Sequence, residues 1–120
     1  MLSDPNRPLY EVKAGLFKGL AHPIRIRILE VLSTVPEATV TELLHAVELE
    51  PSHLSQHLAV LRRNRLVVSE RRGSLVHYRL AYPQVADLLR VARTLLGEIL
   101  ETTREQLVER EHLPDLPEHV

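Results

Sequence analysis

Four consecutive segments between Thr39 and Leu80 constrain this chain more than any other feature: TVTELLHAV, then ELE, then PSHLSQHLAVLRRN, then LVVSERRGSLVHYRL. They read as a short helix, a tight turn, a second helix with a polar face, and an arginine-rich β-hairpin. Thr39 with Glu42 three residues later forms a capping-box pattern that starts the first of these helices, which ends near Val47. Glu48 and Leu49 make the turn, and Pro51 suits the first position of the next helix. In that helix Leu54, Leu58 and Leu61 recur at the spacing of an inward face, and Ser52, His53, Ser55, Gln56 and His57 are read on the outward one. Strands are expected over Leu66–Arg71 and Leu75–Leu80, around an Arg72-Gly73-Ser74 turn, with Val76, Tyr78 and Leu80 inward and His77 and Arg79 outward.

The flanking sequence completes a mainly helical plan, α1-α2-α3-α4-β-β-α5, with the hairpin as a small wing. Residues 1–8 hold two prolines and read as a loose arm. Leu9, Val12, Leu16, Phe17 and Leu20 define a first helix. A second begins at Pro23, with Ile24, Ile28, Val31 and Leu32 inward and Arg25 and Arg27 outward. Pro83 opens a long last helix with an apolar stripe through Val85, Leu88, Leu89, Ala92, Leu95, Leu96, Ile99 and Leu107. A chain of 120 residues has too little core to cover that stripe. Leu9, Val12 and Leu16 of the first helix, with Leu88, Ala92, Leu95, Leu96 and Ile99 of the last, are therefore expected to meet a second copy. The expected domain is 9–111, followed by an acidic tail, 112–120.

Charge is uneven although the net charge is −1. Between His53 and Leu80 there are six arginines (62, 63, 65, 71, 72 and 79) and one acid, Glu70, whereas from Glu98 onward there are seven acids and two arginines. A basic patch beside a helix-turn-helix pattern is the electrostatic footprint of a nucleic-acid surface. Ser52, His53, Ser55, Gln56 and His57 can donate to and accept from base edges in a major groove. Arg62 and Arg63 fall where the helix leaves the groove. Arg71, Arg72 and His77 are placed to meet phosphates.

Cysteine is absent, which removes disulfides, zinc–thiolate sites and cysteine nucleophiles. Nucleophile-elbow, Walker and glycine-rich dinucleotide motifs are also missing, so an enzyme is not expected. No apolar run serves as a signal peptide or reaches the ~20 residues of a membrane span, so a cytoplasmic protein is expected. No cofactor is called for. Seven histidines invite a metal reading. His53 and His57 lie one helical turn apart, and His112, Asp115 and His119 could gather near the dimer end. The plainer readings are a DNA-facing or solvated helix face and a polar tail.

The segments LAHPIRIRILEVL, SHLSQHLAVLR and RRGSLVHYRL together resemble the ArsR/SmtB family of bacterial winged-helix repressors, over roughly residues 9–100. The resemblance implies a homodimer held by its first and last helices that binds double-stranded DNA at a palindromic operator. It does not supply a sensor. Where the family's arsenic and cadmium/lead sensors place cysteines on the third helix, this chain has Val40–Leu44. The last-helix zinc positions align with Tyr82, Gln84, Leu95 and Glu98, of which only Glu98 could be a ligand. The effector stays unassigned. Family members often have glycine where Glu48 stands, so a left-handed backbone there would cost on the order of 1 kcal/mol. Two other readings are a winged-helix assembly module without DNA function and a metal-responsive repressor with an untypical histidine site.

Overall fold

The computed structural model describes residues 5–111. Helices α1 (Leu9–Leu20) and α2 (Pro23–Leu32) lead into a two-residue strand β1 (Ala38–Thr39). Helices α3 (Val40–Val47) and α4 (Pro51–Arg63), strands β2 (Val67–Arg72) and β3 (Leu75–Leu80), and helix α5 (Gln84–Glu111) follow. The three strands form one antiparallel sheet in the order β1-β3-β2. The chain divides into two units, residues 1–87 and residues 88–120.

In the first unit the core is aliphatic. Ile28, Leu29, Leu43, Leu54 and Leu61 have no exposed surface, and Leu32, Leu58, Leu66 and Val67 are nearly as buried. The inner face of α2 is thus made by Ile28, Leu29 and Leu32. Ile24 and Val31 are only half-buried, which corrects the sequence reading of that stripe. Arg25 also departs from expectation: instead of pointing to solvent, its Nε donates to the Gly19 carbonyl at 2.7 Å and ties α2 to the C-terminal end of α1. A Cβ at Gly19 would lie 3.0 Å from the Asn64 side-chain amide, which would have to shift by a few tenths of an ångström to admit it.

Local chemistry sets the boundaries. Thr39 accepts from the Glu42 amide at 3.2 Å, and the Glu42 carboxylate accepts from the Thr39 amide at 2.8 Å, completing the capping box. That amide holds the Glu42 carboxyl below its ordinary value. Glu48 ends α3 in the left-handed region, φ 52° and ψ 51°. Arg65 does the same after α4, with φ 60°. Its amide donates to the Arg62 carbonyl and the Leu66 amide to the Leu61 carbonyl, both at 3.0 Å, which is a Schellman motif with its apolar Leu61–Leu66 pairing.

Two hairpin details differ from the sequence reading. Arg72 belongs to β2 and pairs with Leu75, leaving a two-residue loop, Gly73-Ser74, with Gly73 at φ 63°. Strand β1 was not anticipated. Ala38 and Thr39 pair with Tyr78 and His77 and give the wing a third strand.

The second unit is the greater part of α5. Ala92, Leu95, Leu96 and Ile99 are exposed, and so are Val91, Leu100, Leu107 and Val108. On α1, Leu9 is exposed and Val12 and Leu16 are half-buried.

Candidate nucleic-acid interface

Helix α4 separates its chemistry cleanly. Its leucines anchor it in the core, and Ser52, His53, Ser55 and Gln56 stand exposed. Glu50 provides no side-chain cap for the first-turn amides, and the neighbouring Ser52 and His53 are exposed. A helix N-terminus of this kind favours anions through its free N–H groups and its dipole. Arg62 and Arg63 are exposed in the last turn.

His57 is placed differently from its four polar neighbours. Its ring is half-buried and tilted against the His22 ring, with centroids 4.3 Å apart. His22 is the N-cap of α2, its Nδ1 accepting from the Ile24 amide at 3.1 Å. Burial, and then the neighbouring His22, Arg25 and His53, push the His57 pKa below its ordinary value, so the neutral ring is favoured. A period count contains the signal for this placement: residue 57 is three after Leu54 and four before Leu61, on the flank of the leucine stripe.

At the wing the two arginines face opposite sides of the sheet, as consecutive strand residues must. Arg71 is exposed. Arg72 is exposed too, but its Nη2 hydrogen bonds to Glu37 Oε2 and its Nε lies 3.7 Å from Glu70 Oε1. His77, read as outward, is half-buried, with Nδ1 3.4 Å from Glu37 Oε1. Glu37 was missed in the sequence. It stands 35 residues from Arg72, and no local pattern links the two.

Among the described residues no group of three or more His, Asp or Glu side chains is placed to hold a metal ion. His112, Asp115 and His119 lie outside the described residues. No helix among the described residues is long and apolar enough to cross a membrane.

Comparison with known proteins places this geometry in a family. A family model described as bacterial regulatory protein, arsR family, matches residues 22–69, from the α2 cap through α4 into β2. The chain is 50% identical over 96 residues to Rv0081, an uncharacterized HTH-type transcriptional regulator of Mycobacterium tuberculosis, covering 79% of this chain and 83% of that protein. The chain belongs to the ArsR family. The crystal structure of Rv0081 superposes with a TM-score of 0.75 at 48% identity, covering 82% of this chain and 98% of that one. The transcriptional repressor BigR of Xylella fastidiosa superposes with a TM-score of 0.67 at 31% identity, over 72% of this chain and 87% of its own. This ArsR-family member is therefore a DNA-binding transcriptional regulator with a winged helix-turn-helix fold, and its relatives are regulators rather than enzymes. The assembly module without DNA function is set aside.

Proposed function

We propose that the protein is a homodimeric repressor that reads a palindromic operator through α4 and the wing. The observation that carries this reading is the exposure of Ser52, His53, Ser55 and Gln56 along the face of α4 opposite its buried leucines, beside a wing that exposes Arg71. Hydroxyl and amide groups on such a helix match base edges in the major groove. Arg62, Arg63, Arg71 and Arg72 supply phosphate contacts that set register rather than sequence. His57 and His77 serve this surface from behind, each half-buried against another side chain. Residues 9–111 act as the DNA-binding and dimerisation domain. Leu9, Val12 and Leu16 on α1, and Leu88, Ala92, Leu95, Leu96 and Ile99 on α5, form the contact with the second copy. Two-fold symmetry then sets half-sites about one helical turn apart, ~10–11 bp. A regulator of genomic DNA works in the cytoplasm.

Two substitutions separate positioning from reading. Gln56→Ala should relax sequence preference, at a cost of ~1–3 kcal/mol on the preferred duplex. Arg71→Ala should weaken binding to all duplexes alike and reduce the salt slope by about one. Gel shifts in which both variants match the wild type would remove α4 and the wing as the docking face.

A further inference from the structure

Arg72, assigned to phosphate, and the half-buried His77 behind it already converge on an anion. Glu37 Oε2 accepts from Arg72 Nη2, and Glu37 Oε1 lies 3.4 Å from His77 Nδ1. Each oxygen of one carboxylate thus serves one of these cations or donors, as two oxygens of a phosphate would. We propose that Glu37 sets the affinity of this regulator for DNA: in the free protein it occupies the place on the wing that a backbone phosphate takes in the complex. This inference rests on the reading of the wing given above.

The chain positions Glu37 for this role. It immediately precedes β1, and Ala38 and Thr39 are locked to Tyr78 and His77 of β3, so the carboxylate is carried on the sheet that forms the wing. The Arg72 side chain is 47% exposed and the Glu37 side chain 35%, so the pair is open to solvent and to a competing polyanion. Exposed ion pairs are weak, because water screens them and two long side chains must be held in one geometry. A duplex carrying one charge per ~1.7 Å can displace such a partner. Glu70, 3.7 Å from Arg72 Nε, remains beside the guanidinium in either state. The displaced Glu37 carboxylate then lies next to the phosphates and repels them. Both effects lower affinity, and neither depends on base sequence. Arg71 faces the other side of the strand and escapes this competition.

The test is fluorescence anisotropy of the full chain on duplex from its own upstream region and on scrambled duplex, at salt from about 50 to about 300 mM. Glu37→Gln should tighten binding to both duplexes by roughly two- to fivefold, the range of an exposed ion pair. The gain should shrink as salt rises and be smaller in an Arg72→Ala background, where only the repulsion between Glu37 and the phosphates is left to relieve. Glu37→Ala should repeat the result, and thermal melting of both variants should match the wild type. Unchanged or weaker binding by Glu37→Gln would overturn the proposal, and so would a gain of undiminished size without Arg72. If Arg71→Ala and Arg72→Ala both bind like the wild type, the wing itself makes no phosphate contact, a failure that this arm reveals separately.

Discussion

Helices α4 and α5 carry the same kind of leucine repeat, yet Leu54, Leu58 and Leu61 of α4 are at most 2% exposed, while Leu95, Leu96 and Ile99 of α5 are 56%, 54% and 51% exposed. Period alone says that a face needs a partner and not where the partner comes from. For α4 the chain itself supplies one, in α2, which buries Ile28 and Leu29, and in β2, which buries Val67. For α5 the described residues leave the face open, and a second copy is the proposed cover. The same apolar pattern thus stabilises the fold in one helix and leaves an open face in the other.

The largest effect should come from removing an α4 leucine. Leu61→Ala opens a cavity in a site with no exposed surface and should cost ~2–5 kcal/mol, measured by urea unfolding. A loss below ~1 kcal/mol would erase the distinction between the two helices. The counterpart is Leu96→Glu on α5. It should reduce the molar mass from dimer to monomer in light scattering and make the melting temperature independent of protein concentration, while the helical signal is kept. A dimer that survives this change would move the interface elsewhere.

A smaller effect tests the polar flank of α4. The pKa of His57 is lowered in the folded protein, so the unfolded chain takes up its proton first as pH falls through the ordinary histidine value of 6.5. Stability from this group is complete above that value and is lost below it. Wild-type urea midpoints should therefore fall on acidification from pH 7.5 to pH 5.5, and His57→Gln should show a shallower fall (an interval spanning the ~6.5 reference). Equal slopes would mean that folding does not lower the His57 pKa. The smallest effect is at the helix end. Arg65→Gly relieves a left-handed residue and should change stability by ~1 kcal/mol or less, as measured by thermal melting.

What could be read from sequence was local. The capping box at Thr39, Pro51 opening α4 and the buried leucines of α4 each depend on residues within a few positions of one another, and all were anticipated. Gly73 at the wing tip was anticipated as well, though with Arg72 in the turn rather than in β2. Tertiary features were hidden. Strand β1 is two residues long and exists only because β3 pairs with it. The bond of Arg25 to Gly19 and the grip of Glu37 on Arg72 join segments with no shared period. On the candidate interface, the exposed face of α4 emerged from alternation with the leucines. The state of Arg72 and His77 did not, because a carboxylate from outside the hairpin decides it.

The most direct test of the central claim is anisotropy of the purified protein on its own upstream DNA and on scrambled duplex of equal length, each at several salt concentrations. The account predicts tight binding to the first and binding at least ~10³-fold weaker to the second, both with a steep loss of affinity as salt rises. Equal, weak binding to the two duplexes at every salt concentration would contradict it.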